Sequence, residues 1–162
     1  MFNLAQLYYY HQMPFKGARL IEKGFDSGAL DKNLKNLKFL SQCWVLAKEN
    51  DEAVPVMKAA ADLSDDGELD AQLGQIFLNM EKWQQAIAAS EAALSKGGLR
   101  NEGTVHLVKG MAFFNVGQYN EALNELAKAE AFKSSKGMAQ QWSKFVETEK
   151  VSAEKLTVSL SR

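Results

Sequence analysis

The chain has 162 residues, of which 46% are hydrophobic and 24% are charged, and its 19 basic and 20 acidic residues leave a formal net charge of −1. This length and composition are typical of one globular domain, and the near-neutral charge argues against nucleic acid or an anionic membrane surface as a partner. No apolar run reaches the roughly 18 residues of a membrane-spanning helix, and the single cysteine, Cys43, excludes an internal disulfide and a cysteine zinc cluster.

The hydrophobic periodicity predicts helices along almost the whole chain. In chain order they are expected at residues 2–12, 14–25, 32–49, 51–63, 67–80, 82–96, 102–116, 118–132 and 135–158. Pro14 suits the first turn of the second helix, and Asn50, Asn101 and Asn120 are placed to cap the N-termini of later helices. Pro55 falls about one turn into the fourth helix, where it removes one backbone hydrogen bond.

Small and aromatic residues recur with a period close to 35 residues. A small residue opens every second helix, at Ala18, Ala53, Ala86 and Ala122. Nine residues before these alanines stand the aromatic residues Tyr9, Trp44, Phe77 and Phe113, and seven residues after them stand Phe25, Ala60, Ala93 and Ala129. Such spacing predicts helix–turn–helix repeats at about 1–33, 34–66, 67–102 and 103–134, in which alanines let two helices approach closely.

The ninth helix, expected at about 135–158, has its own apolar stripe. Met138, Trp142, Phe145 and Val146 fall at helical spacing, with charged residues on the remaining faces. A terminal helix with one apolar and one polar face is what a repeat array needs to cover its last repeat. We therefore interpret it as a cap, and binding of a partner by this helix is the alternative.

No residue pattern in the chain points to catalysis, a cofactor or a bound metal. His11 and His106 lack the partners of a zinc motif, so a structural or surface role is expected, and Cys43 is expected to be a small buried residue. The acidic stretch from Asp62 to Gly67 resembles half of an EF-hand loop, but Leu73 stands where the bidentate glutamate should be. The sequence predicts a protein that is not an enzyme and uses no cofactor.

The repeat spacing resembles that of the tetratricopeptide repeat (TPR), a helix–turn–helix unit of about 34 residues. The resemblance covers nearly the whole chain and implies an all-α, right-handed TPR-type α-solenoid over residues 1–162, one domain with a C-terminal capping helix. In such proteins the first helix of each repeat lines a concave groove that binds peptides. By that register the predicted groove residues are Tyr10, Lys38, Gln42, Gln75, Leu78, Asn79, Met111, Phe114 and Asn115.

Four longer phrases suggest a narrower resemblance. "LIEKGF", "WVLAKENDEAVPVMKAAADLSDDGEL", "GMAFFNVGQYNEALNELAKA" and "AQQWSKFVETE" resemble the C-terminal part of the TPR proteins encoded beside bacterial TonB systems. This resemblance implies a periplasmic accessory of TonB-dependent uptake whose signal segment lies upstream; a cytoplasmic location is the alternative. The opening residues fit this expectation, because they begin within a helical pattern and lack the features of a signal peptide.

Two hypotheses for function follow from the sequence. The first is a scaffold that binds a peptide or protein segment in the groove, with TonB-system components as candidate partners and without nucleic acid or a membrane span. The second is a structural or assembly protein that self-associates through the exposed ends of its repeats. The sequence leaves the oligomeric state open between them.

Overall fold

The structure is a computed structural model that describes the backbone of residues 1–160 and the side chains of residues 1–156. This part of the chain is all-α, as predicted, and contains nine helices and no strand. The helices are α1 (Phe2–Tyr10), α2 (Pro14–Asp26), α3 (Leu34–Leu46), α4 (Asn50–Asp62), α5 (Glu68–Asn79), α6 (Trp83–Lys96), α7 (Glu102–Asn115), α8 (Tyr119–Glu130) and α9 (Lys136–Leu160). None of the helices within these residues is both long and apolar enough to cross a membrane.

The helix starts confirm two of the predicted end signals and correct two others. Pro14 is the first residue of α2, and the Asn101 side chain caps α7 by accepting a hydrogen bond from the Thr104 backbone at 3.4 Å. The same Asn101 oxygen also accepts a hydrogen bond from the Ser134 hydroxyl at 3.0 Å. Asn50 and Asn120 were wrongly predicted as caps, because they lie inside the first turns of α4 and α8, and neither helix has a side-chain cap.

The turn within each helix pair explains why Asn50 and Asn120 do not cap the helices that follow. A residue with positive φ closes every such turn, at Gln12, Lys48, Glu81 and Gly117. The backbone then doubles back on the preceding helix, as when the N–H of Lys82 donates to the carbonyl of Phe77 at 2.9 Å. The next helix therefore starts directly after the turn, without an asparagine in the capping position.

The described chain forms two compact units. Unit 1 comprises Met1–Asp65 with α1 to α4, and unit 2 begins at Asp66 with α5. The division falls at the predicted boundary between the second and third repeats. The prediction that residues 1–162 form a single domain stays a prediction.

The core of unit 1 combines the repeat alanines with large side chains. Ala18 and Ala53 are fully buried together with Ile21 and Trp44, and the rings of Phe2, Tyr9 and Phe39 pack against them. Cys43 is also fully buried, as predicted. Alanine at the predicted positions thus allows close contact between helices, while aromatic residues fill the remaining space.

The core of unit 2 has the same alanines in the same register. Ala86, Ala93, Ala122 and Ala129 are all fully buried. Gly110 adds to the close approach of α7 and α8, since a Cβ atom at that position would lie 3.1 Å from Cδ2 of Leu126. The repeat alanines therefore occupy the contact for which the sequence predicted them.

The C-terminal helix α9 packs on the last repeat, mainly against α8. Its fully buried residues are Ala139 and Val146, and Trp142 between them is half-buried. Met138 and Phe145, the other members of the predicted apolar stripe, remain 53% and 46% exposed. The helix presents Ala139 and Val146 to the last repeat, so only part of the stripe is covered.

Candidate protein-binding surface

The predicted groove residues fall into both units. Tyr10, Lys38 and Gln42 belong to unit 1, and the other six belong to unit 2. In unit 1, Tyr10 is 76% exposed at the end of α1, with its ring 5.8 Å from that of Tyr9. Lys38 is half-buried and Gln42 is exposed, one turn apart on α3.

In unit 2, the predicted residues of α5 form a polar pair beside an apolar side chain. Gln75 and Asn79 are exposed, one turn apart, and the Gln75 amide nitrogen donates to the Asn79 side-chain oxygen at 3.0 Å. Leu78 lies between them in sequence and is half-buried. This hydrogen bond orients both side-chain amides along the helix. The Gln75 side-chain oxygen and the Asn79 side-chain nitrogen take no part in the bond.

The predicted residues of α7 repeat this arrangement with larger apolar groups. Met111 and Phe114 are half-buried and pack on the core of unit 2. Asn115, the last residue of the helix, is exposed, and its side-chain nitrogen donates to the Met111 carbonyl at 2.9 Å. Each of the two helices therefore offers an exposed amide next to apolar surface.

Helix α9 adds an aromatic group that the sequence analysis did not assign to the groove. The Phe114 ring lies 5.9 Å from the Trp142 ring and 5.1 Å from the Phe145 ring, and these two are 5.7 Å apart and perpendicular. We call Phe114, Trp142 and Phe145 the aromatic trio. In the sequence, Phe145 directly precedes the buried Val146. Neighbouring residues of a helix point in different directions, so the Phe145 ring is turned away from the core.

A cleft of about 230 Å³ separates α5 from the start of α7. Ala71, Val105 and Val108 contribute apolar surface, and Gln75 is the only predicted site residue in its lining. Arg100, from the segment before α7, also lines it: its backbone N–H donates to the Glu68 carboxylate, and its side chain is 90% exposed. A connecting segment has no helical register, so the repeat pattern could not place Arg100 there.

A buried ionic cluster lies between α7 and α8. Nδ1 of His106 is 2.7 Å from one oxygen of Glu125, and Nζ of Lys128 and of Lys109 are 2.8 and 3.5 Å from the other. Burial raises the pKa of Glu125, but hydrogen bonds from Lys128 and His106 and the charges of Lys109 and Lys128 lower it more, so the pKa lies below its ordinary 4.5. His106 is thus a buried structural residue, which is one of the two roles expected for it, whereas its partner Glu125 was missed.

The Cys43 side chain is fully buried and is engaged in packing. Burial raises the pKa of the Cys43 thiol to about 12, which keeps it protonated near neutral pH. Within residues 1–156 no group of histidine, cysteine and carboxylate side chains is arranged to hold a metal ion. What the described surface offers is amide and aromatic contact area.

Neither a protein-family model nor a curated protein matches the chain. Solved structures do. MamA AMB-1 is 26% identical, with 82% of this chain and 71% of that chain covered and a TM-score of 0.71. MamA 41-end from Desulfovibrio magneticus RS-1 is 15% identical over 98% and 90% of the two chains, with a TM-score of 0.74. YrrB, a TPR protein with an unusual peptide-binding site, is 19% identical over 86% and 71%, with a TM-score of 0.72. These likenesses and the helix order show that the chain has the fold of the tetratricopeptide-repeat solenoids.

Proposed function

We propose that this protein is a non-enzymatic scaffold that binds a peptide or protein segment on the amide-bearing and apolar surface of α5, α7 and α9. One observation carries the proposal: exposed amides at Gln75, Asn79 and Asn115 lie on the same helices as the apolar Leu78, Met111 and Phe114, beside the half-exposed ring of Phe145. Tyr10, Lys38 and Gln42 are proposed as the contribution of unit 1 to the same function.

The chemistry of this surface suits the main chain and apolar side chains of a peptide. Amide groups both donate and accept, so they can pair with peptide N–H and carbonyl groups. Aromatic side chains contribute large contact areas at few rotatable bonds, which is why they dominate the energetics of many interfaces. YrrB, which shares the fold, has a peptide-binding site, and this supports assigning the same class of ligand here.

The finer proposal is a role beside a TonB system. It rests on the resemblance of the four quoted sequence phrases, above all the run from Ala139 to Glu149, to TPR proteins encoded in TonB clusters. The protein would then act in the periplasm as an accessory of TonB-dependent energy transduction or uptake, with a TonB-system protein as its partner.

The test is capture from an envelope extract of a bacterium with a TonB system. The immobilised chain is compared with Asn79→Asp and Asn115→Asp, which keep the side-chain shape but add a charge to the surface. We expect both variants to lose the captured partner while their helical circular dichroism is unchanged. Gln85→Glu on α6 makes the same amide-to-acid change outside the surface and is the control.

Each result has a defined meaning. Capture that persists in both variants contradicts the assignment of the surface. Loss of capture in the variants, with a partner that mass spectrometry identifies as unrelated to TonB uptake, supports the scaffold and contradicts the TonB role.

A second function, self-association, is favoured by one feature of α1. Leu4, Leu7 and Tyr10 are 46%, 52% and 76% exposed, and no charged side chain occurs from Met1 to Phe15. An uncharged apolar helix face is suited to packing against a second copy. Light scattering across protein concentration tests this: Leu7→Glu should abolish association, and Gln12→Glu should not. A monomer at every concentration contradicts it.

A further inference from the structure

Unit 1 contains a groove that none of the predicted binding residues line. It lies between α2 and α4 and has a volume of about 430 Å³, within the roughly 300–1,000 Å³ of ligand clefts. Leu37 and Leu40 of α3 belong to its lining, together with Phe25 of α2 and Val56 and Ala59 of α4. The surface is therefore largely apolar, with two helices as its walls.

The groove coincides with the one departure from the repeat pattern. Phe25 occupies the position at which the later repeats have Ala60, Ala93 and Ala129, and these three alanines are fully buried. A phenylalanine is too large for the same close contact between helices, and its ring remains half-buried in the groove wall. Phe25, the residue that departs from the repeat pattern, thus shapes the groove.

The wall formed by α2 is acidic. Glu22 and Asp26 stand one turn apart and both line the groove. Asp26 is exposed at the C-terminal end of α2. Among the described side chains, none forms an ion pair with Asp26.

The wall formed by α4 is apolar, since Pro55, Val56 and Ala59 line the groove from this helix. The carboxylates that line the groove therefore stand on α2. A ligand that matches them must bring donors and positive charge.

The chain already places cations of its own at the acidic wall. Nζ of Lys32 lies 5.8 Å above the Phe25 ring, and Arg19 pairs with Glu22 at 2.8 Å from an exposed position. Lys32 compensates part of the negative charge at one end of the groove. The Asp26 carboxylate supplies the charge that remains for a ligand.

We propose that this groove is a second docking site, which binds a peptide segment with an apolar side chain flanked by arginine. The apolar side chain occupies the floor at Leu37 and Leu40, and a guanidinium group binds Asp26. Arginine fits better than lysine because its planar fork carries five donors and can bind a carboxylate bidentately. The site is separate from the surface of α5, α7 and α9 and does not depend on the function proposed for it.

The test measures fluorescence anisotropy of a labelled peptide, Gly-Arg-Leu-Leu-Arg-Gly, with the full chain. We expect saturable binding that weakens with salt, and roughly fivefold to tenfold weaker affinity for Asp26→Lys. The matched control is Asp62→Lys, the same charge change at the end of α4 outside the groove lining. A second variant, Ala59→Arg, places a long cationic side chain in the groove and should also weaken binding.

Four outcomes would overturn the proposal. The first is no saturable binding, and the second is an equal loss in Asp26→Lys and Asp62→Lys, which would indicate general charge attraction. The third is loss of binding in Asn79→Asp or Asn115→Asp with retention in Asp26→Lys, which would place the peptide on unit 2. Equal binding of Gly-Glu-Leu-Leu-Glu-Gly would likewise contradict a site for basic segments.

Discussion

Both units follow the same repeat and both bring aromatic rings together, but the interior of unit 2 also contains a buried ionic cluster. In unit 1, aromatic rings beside the core meet one another, as in the Phe2–Phe39 and Tyr9–Phe39 pairs with centroids 5.1 and 5.6 Å apart. In unit 2, α7 and α8 enclose the carboxylate of Glu125 among positively charged and imidazole groups. The repeat alanines are fully buried in both units. The repeat thus determines where two helices touch, while the space beside that contact accepts either rings or ions.

The most direct test of this difference between the units is to remove the buried carboxylate of Glu125. Glu125→Gln leaves Lys109 without its buried negative partner, and we expect the free energy of unfolding to fall by about 3 kcal/mol. Urea unfolding followed by circular dichroism measures the change. Glu121→Gln, the same substitution at an exposed position of α8, should stay within about 0.5 kcal/mol of the wild type. Equal effects would show that the cluster contributes nothing specific.

The shared alanine contact can be challenged in the same helix. Ala122→Leu adds a larger side chain where Ala122 is fully buried, and overpacking should cost roughly 1–3 kcal/mol. Thermal unfolding compares it with Ala127→Leu, which places the same side chain at an exposed position of α8. An unchanged melting temperature for Ala122→Leu would refute the assigned repeat register.

The ionic cluster also predicts a pH dependence that an aromatic core lacks. Because the pKa of Glu125 in the folded protein lies below 4.5, the unfolded chain takes up this proton first as the pH falls. The contribution of Glu125 is therefore complete well above pH 4.5 and is lost as the pH falls through the lower, folded pKa. Unfolding free energies measured across this range should converge for the wild type and Glu125→Gln at the acidic end. A constant difference would contradict the shift.

The smallest expected effect concerns the turns, which the two units share. Glu81 has a φ of 57°, a backbone conformation that costs a side-chain-bearing residue about 1 kcal/mol relative to glycine. Glu81→Gly should therefore raise the free energy of unfolding by roughly 0.5–1 kcal/mol. Gly117→Ala makes the reverse change at the equivalent turn and should lower it by a similar amount. Changes of the same sign in both variants would contradict this account.

Much of the fold could be predicted because its strongest signals are local. Ala18, Ala53, Ala86 and Ala122 recur at nearly constant spacing, and close helix contact has few other residue solutions. The predicted helices match the described ones to within a few residues at each end. Asn50 was misplaced because a left-handed turn residue, rather than a side chain, ends the preceding turn.

The surface was harder to predict because it depends on which helices meet. Glu125 stands in an alanine-rich helix with charged neighbours and resembles a surface residue until α7 brings His106 and Lys109 against it. Phe145 joins Phe114 only through the way α9 lies on the last repeat. The assignment of Gln75, Asn79 and Asn115 as ligand contacts remains a prediction, which the capture experiment addresses.

Asn101 connects the starts of two helices, α7 and α9, that lie far apart in the sequence. Its one side-chain oxygen accepts from the first turn of α7 and from Ser134 in the segment that leads into α9. Both helix starts share this one acceptor. We therefore expect the opening of the α7 start and the detachment of the α9 start to be cooperative. In hydrogen exchange, the Thr104 amide should then exchange together with the first amides of α9 that donate within the helix, and Asn101→Ala should separate their rates.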